Sequence, residues 1–504
     1  MGAYDRMKTH GFEKNRKKNK GVTSLVAKLL AVLLVMMLCV GCQELSGITE
    51  QAGGTSTDSA QQTEVNAEVR DLNGIDISEF SVVYSSTDSD YCKRAAKYIC
   101  DQIKVRTGCV LSMNPDYLPA ESEYEIVVGE ADRDISKQLD ADTQNVQFAI
   151  MADDNSIALE GDYFVIAAAA YFFIETYIPS SNFDSTVPKE ATVHDPIQKE
   201  AKNYILMIGD GMGFNQTLLF EKYAKKMSTY NDYSDNENVF YGYYFPNQGQ
   251  SRTNSLSGVT DSAAGGTALS TGYKTLNSYV GKDGTGKNVE SLTELAGRLG
   301  KSTAVISTDV ATGATPASFS AHVYDRDDSD GIKASQTVLV KNYDTAIYCG
   351  QNKYDSSGVK TLEGAVKATL KSLAKNENGF FMMYEEAHID KWCHKNDMDN
   401  TFNSVVRFNQ IIGIVMEYAF YNPDTFVLIT ADHETGALTK SSSGAFYYNQ
   451  TNHSGANVPV FAYGIGAELF NGVTVENTQI PKTIASMMGV KDFGAKDNYK
   501  SLLD

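Results

Sequence analysis

Six side chains in the second half of the chain have the types and spacing to hold two divalent cations: Asp210, Asp390, His394, Asp432, His433 and His453. Asp390 and His394 stand four residues apart, which on a helical turn puts both on one face toward one ion, with His453 to complete the set. Asp432 and His433 are adjacent, as a turning strand end allows, and Asp210 in Ile208-Gly209-Asp210-Gly211-Met212-Gly213 offers a third ligand for a second ion. Zinc favours such imidazole and carboxylate ligands. If Asp210, Glu385, Asp390 and Asp432 converge, four ionised carboxylates need cations between them. Two ions about 3.5 to 4 Å apart can clamp an in-line displacement at phosphorus, one at the attacking and one at the leaving oxygen. Ser262 precedes the small-residue run Ala263 to Gly272, where a helix N-terminus can approach a phosphate closely. Its hydroxyl is a weak nucleophile until its pKa is lowered.

The elements that must position these groups read as α/β. Buried-type strands are expected at Tyr204 to Ile208, Ser302 to Ser307, Phe380 to Tyr384, Thr425 to Thr430 and Val458 to Tyr463. Helices are expected at Ser291 to Leu299, Leu362 to Ala374, Thr401 to Tyr421 and Pro481 to Met488. This alternation predicts a largely parallel central sheet flanked by helices. Ligands gather outside the carboxyl ends of such strands, where Asp210, Glu385 and Asp432 fall. Earlier, Phe80 to Ser85, Tyr124 to Gly129 and a hairpin of Val146 to Met151 with Ser156 to Leu159 read as strands, and Ser89 to Arg106 and Tyr163 to Ile178 as helices. They predict a small α/β accessory domain over 71–197, ahead of a catalytic domain over 198–504.

The segments Ile208 to Gly213, Thr260-Asp261-Ser262-Ala263-Ala264, Glu385 to His394, Ala431-Asp432-His433 and His453 in an Asn-His-Ser-Gly turn together resemble the alkaline phosphatase family. They occur in family order over roughly 203–466. The resemblance implies two zinc sites built from the six residues above and a magnesium site built from Asp210, Thr315 and Glu385. It makes Ser262 the nucleophile that carries a phosphoserine intermediate. Ala314-Thr315-Pro316-Ala317, Ala321-His322-Val323 and then Arg326 resemble the segment ending in the family's phosphate-binding arginine, whose fork matches two phosphoryl oxygens. Asp261 would orient Arg326, and Lys391 stands where the family touches phosphate through water. Small phosphate monoesters are the implied substrates, and a homodimer is compatible with the resemblance. One departure stands out: Gly313 occupies a position where relatives carry Asp or His, which predicts an open, readily exchanging magnesium site.

Of 504 residues, the first twenty are rich in Lys and Arg and precede an apolar stretch from Leu29 to Gly41, so 1–42 reads as a secretory signal. Gly41-Cys42 resembles a bacterial lipobox, which predicts an exported lipoprotein anchored to the membrane through Cys42. The polar run 43–70 then reads as a flexible linker. A net charge of −19 argues against nucleic-acid binding. Outside the signal, Cys92, Cys100, Cys109, Cys349 and Cys393 show no CxxC spacing and predict no disulfide framework. Cys92, Cys100 and Cys393 read as packed thiols, His322 as a buried neighbour of the site, His388 as a residue near the metals, and His10 and His194 as surface groups. Tyr230 to Tyr244 reads as a covering flap or ordinary packing. Glu125 to Glu130 and the helix after it resemble the accessory domain before catalytic barrels in glycoside hydrolases. Two rival functions are a phosphodiesterase of the same superfamily and a glycan-binding surface lipoprotein with a degenerate phosphatase domain. Ser262, Arg326 and Glu385 speak against the first, and the complete ligand set against the second.

Overall fold

The computed structural model describes residues 68–87, 90–220, 239–350 and 361–504. The expected signal with Cys42, most of the linker, His10 and the 230–238 part of the tyrosine-rich stretch lie outside the described residues. No described helix is long and apolar enough to cross a membrane.

The first sheet is built from β1 (Phe80–Tyr84), β2 (Met113–Pro115), β3 (Tyr124–Val128), β4 (Phe148–Ala152), β5 (Ser156–Glu160) and β6 (Thr192–His194), in the order β2-β1-β3-β5-β4-β6. Helix α1 (Asp90–Thr107) and the almost wholly apolar α2 (Ile166–Tyr177) cover one face. The expected hairpin is present as antiparallel β4 and β5. His194, expected at the surface, instead lies against Phe172 with ring centroids 4.4 Å apart, because β6 pairs with β4 and carries the ring over the helix.

The second sheet has eight strands: β7 (Asn203–Gly209), β8 (Asn247–Arg252), β9 (Ser302–Ser307), β10 (Ala346–Cys349), β11 (Phe380–Glu386), β12 (Thr425–Thr430), β13 (Val458–Tyr463) and β14 (Thr474–Glu476). Their order is β10-β9-β11-β7-β12-β13-β8-β14, and only β13 runs against its neighbours. Every residue of β7 is buried, as a strand covered on both faces requires. Its Ile205 and Met207 join one core and its Tyr204, Leu206 and Ile208 the other. The second core is closed by α4 (Leu292–Arg298) and α9 (Gln479–Met487); α3 (Ser262–Thr271) adds Leu269 to it. The first is closed by the 24-residue α8 (Met398–Tyr421), with α6 (Thr361–Leu373) beside it.

That first core is continuous from α1 and α2 into α8. Phe164 stacks on Phe420 at 5.9 Å, and Arg94 Nε donates to Glu417 Oε1 at 2.6 Å. Ala67–Asp504 accordingly form one compact unit containing both sheets. Tyr241, in the described end of the tyrosine-rich stretch, meets Phe164 edge-on at 4.9 Å and so belongs to this packing.

Candidate functional site

The site lies across the carboxyl ends of four adjacent parallel strands, β9, β11, β7 and β12. Asp210 follows β7 directly and Asp432 comes two residues after the end of β12. Glu385, expected just after a strand, is inside β11, whose pairing with β7 runs on to Glu386. Glu385 thus points from the sheet itself. Gly211 turns the chain with φ of 72°, and a Cβ there would come within 2.9 Å of Asp390 Cα and Thr435 Oγ1. Only glycine lets the two ligand sets approach so closely.

Short helix α7 (His388–Cys393) carries Asp390, and the helical turn at its end brings His394 round to it. Asp390 Oδ1 lies 3.3 Å from His394 Nε2 and 3.5 Å from His453 Nε2, and the two imidazole nitrogens are 3.1 Å apart. Each ring is held through its other nitrogen: His394 Nδ1 donates to Thr451 O at 2.5 Å and His453 Nδ1 to Thr260 O at 2.8 Å. Those bonds select the tautomer whose Nε2 lone pair faces the partner ligands.

The second set repeats this pattern in a fully buried position. His433 Nε2 lies 3.3 Å from Asp432 Oδ2 and 3.5 Å from Asp210 Oδ1. Asp432 Oδ1 accepts from the backbone of Gly211 at 3.2 Å and of His433 at 3.0 Å, which leaves Oδ2 without a partner. Asp210 Oδ1 and Thr315 Oγ1 are likewise buried with no hydrogen bond. Orphaned buried acceptors of this kind are what a cation resolves in the second set, and in both sets one nitrogen or oxygen ligand atom from each residue lies within 4.8 Å of the others, which fits divalent ions. Thr435 joins the sets, donating to Asp390 Oδ1 at 2.5 Å while standing 3.2 Å from His433 Nδ1. Sequence reasoning missed Thr435, although it falls only two residues after His433.

Charge in the pocket behaves accordingly. Burial, then Asp390, pushes the Asp432 carboxyl up to about 7, and burial pushes Glu385 up to about 8 against a hydrogen bond from Ser307. Asp210 is raised by burial and by Asp432, Asp390 and Glu385. Burial and then His453 depress His433 to about 3. Asp390 goes the other way: burial would raise it, but the imidazoles of His394 and His453 against its carboxylate hold it far below the carboxylate range.

Ser262 is the first residue of α3, capped by Asp261, whose Oδ1 accepts from Ala264 N at 2.9 Å. Its Oγ lies 3.2 Å from His433 Nε2, beside the second set. Asp261 Oδ2 accepts from Arg326 Nη1 at 3.3 Å and from Ser278 N at 2.9 Å, so the cap also steers the guanidinium. Glu385 and Thr315 come together, Thr315 from the helical turn Ala314–Ser318. Lys391 turns to Asp309, with Nζ 2.5 Å from Oδ1, a partner the sequence did not suggest. His322 is held between Gly281 O at 2.7 Å and Glu294 Oε1 at 2.9 Å, bracing the segment that leads to Arg326. His388 Nδ1 meets Thr308 Oγ1 at 3.1 Å. Cys100, Cys109, Cys349 and Cys393 are free thiols; Cys393 is buried and pushed up to about 12 by that burial, Cys92 is buried too, and Cys100 is only half-buried.

A model of the alkaline phosphatase family matches residues 201–348 and 349–451. Alkaline phosphatase 3 of Bacillus subtilis is 26% identical over 340 residues, spanning 56% of this chain and 71% of its own. The alkaline phosphatase of Escherichia coli is 24% identical over 428 residues, 61% of this chain and 90% of its own. The cold-active alkaline phosphatase of the psychrophile Shewanella sp. shares the fold, with a TM-score of 0.50 at 22% identity over 57% of this chain and 99% of that one. With the ligand sets, the capped serine and the arginine assembled at one sheet edge, the chain belongs to the alkaline phosphatase family and is a phosphatase.

Proposed function

We propose that the protein hydrolyses phosphate monoesters by way of a phosphoserine at Ser262. The observation that carries this reading is the placement of Ser262 Oγ, 3.2 Å from His433 Nε2 at the N-terminus of α3, next to the Asp261 and Arg326 pair. Asp390, His394 and His453 would hold one zinc ion, Asp210, Asp432 and His433 the other, and Asp210, Thr315 and Glu385 a magnesium ion; together these cations would supply the positive charge that activates the serine hydroxyl and stabilises the leaving oxygen. The chain's own groups do the rest. Arg326 grips two phosphoryl oxygens and fixes the phosphorus in line with Ser262 Oγ. Ser262 Oγ gives up its proton and bonds to phosphorus as the ester P–O bond breaks, and the departing alcohol takes up a proton. Water then attacks the same phosphorus, freeing Ser262 and inorganic phosphate. Comparing kcat/KM on matched mono- and diesters tests the reading: preference for the monoester supports it, and preference for the diester favours a phosphodiesterase.

For its cellular setting, we read an exported lipoprotein held to the membrane through Cys42, with 43–70 as a tether and 71–197 as a spacer. Cys42→Ala should release the enzyme from the membrane fraction and abolish labelling by a fatty-acid probe. Unchanged membrane retention and labelling would remove the lipid anchor from the account.

A further inference from the structure

Gly313 is glycine for a reason other than backbone freedom, since its φ of −59° suits any residue. A Cβ built there would come within 2.5 Å of Asp309 Oδ2 and 2.9 Å of Asp309 Cγ. The volume that a side chain at 313 would need is therefore already filled by a carboxylate arriving from four residues upstream. That carboxylate is well anchored. Asp309 N donates to Ser307 Oγ at 2.8 Å, and Ser307 Oγ donates to Glu385 Oε2. On its other side Asp309 Oδ1 accepts from Lys391 Nζ at 2.5 Å. The Asp309 side chain remains 23% exposed, in contact with water as well as with these partners.

We infer that Asp309 is a positioning residue for the third cation: it supplies, from a different place in the sequence, the outer carboxylate missing at position 313, and Gly313 is small because it must admit it. The inference rests on the proposed magnesium site of Asp210, Thr315 and Glu385. Magnesium retains several waters in strict octahedral order, and a neighbouring carboxylate that accepts hydrogen bonds from those waters lowers the cost of holding them. By pairing with Lys391, Asp309 also fixes that ammonium beside Asp390, the residue before it in the chain. The open third site expected from Gly313 is thus replaced by a filled one.

Calorimetric titration of zinc-loaded, full-length enzyme with magnesium tests this without using turnover. Asp309→Ala, and the isosteric Asp309→Asn, should weaken magnesium binding by about tenfold to a hundredfold while the zinc content stays at the wild-type value. Gly313→Asp alone should also weaken it, because its Cβ intrudes on Asp309. The double variant Asp309→Ala with Gly313→Asp should recover most of the loss, returning a carboxylate to the vacated space. Wild-type affinity in both Asp309 variants, tighter binding by Gly313→Asp alone, or no recovery in the double variant would overturn the inference. A wild-type protein that binds no magnesium would overturn the third-site reading itself and this inference with it.

Discussion

Both sheets bury carboxylates near their strand ends, yet only one leaves them unsatisfied. In the smaller sheet Asp116 accepts from Ser86 N at 3.1 Å and Asp132 N at 3.0 Å. Glu125 accepts from Arg133 Nε at 2.6 Å and Nη2 at 3.3 Å. Each has protein donors for its charge and braces its own loop. In the larger sheet Asp210 Oδ1 and Asp432 Oδ2 have none, and burial drives both groups toward the protonated form. A buried carboxylate with its donors in place is structural; one without them is waiting for a ligand from outside the chain.

The sharpest way to break that contrast is at Ser262. Ser262→Ala should cost roughly a thousandfold or more in kcat, as loss of a nucleophile does, while zinc content stays the same because the side chain is not needed to hold the ions. Labelled phosphate trapped on the wild type at acidic pH should map to Ser262; label on any other residue would sink the assignment.

Next comes the metal-free protein. The folded pKa values of Glu385 and Asp432 are raised to about 8 and about 7, whereas the unfolded chain titrates near 4. Between those limits the folded state binds more protons than the unfolded, so stability is fully present below about pH 4 and falls as pH rises toward 8, by about 1.4 kcal/mol per pH unit for each such carboxylate. Thermal melts of chelated protein should therefore fall from pH 5 to pH 8, and melts with zinc restored should not. Parallel curves would mean that these carboxylates are not the cation ligands.

Arg326→Ser is expected to lower kcat/KM on monoesters by about tenfold to a hundredfold, from the loss of charge-assisted hydrogen bonds worth roughly 1.5–3 kcal/mol. A diester, with one fewer charged oxygen, should lose less; equal losses would contradict the role. Smallest on activity is Asp116→Ala, which should cost about 1–3 kcal/mol of unfolding free energy by stranding its amide donors and leave kcat/KM unchanged. A fall in activity without a fall in stability would dissolve the distinction between the two sheets.

The site was more legible in the sequence than its supports were. Strands such as β7 and β12 announce themselves as continuous apolar runs, since both faces are buried, and a ligand just beyond a run is readily noticed. Strand β8, Asn-Gln-Gly-Gln-Ser-Arg, carries no such pattern and is a strand only because β13 and β14 pair with it. Helix α5 (Ser329–Tyr343) was invisible for a related reason: it buries only Ile332, Gln336 and Leu339 and leaves Val338 and Val340 exposed. Helix α8 begins three residues before the expected Thr401 because Asp397 caps it through Asn400 N at 3.1 Å. Thr435 and Asp309 each also bond a residue remote in sequence, Asp390 and Lys391, so their roles appear once the chain is folded.

The central claim is that the two clusters of facing carboxylate and imidazole ligands each hold a cation. Anomalous diffraction at the zinc edge from crystals of the native enzyme tests it most directly. The account predicts two peaks about 4 Å apart, one among Asp390, His394 and His453 and one among Asp210, Asp432 and His433. Fully active crystals with no anomalous density in either cluster would contradict it.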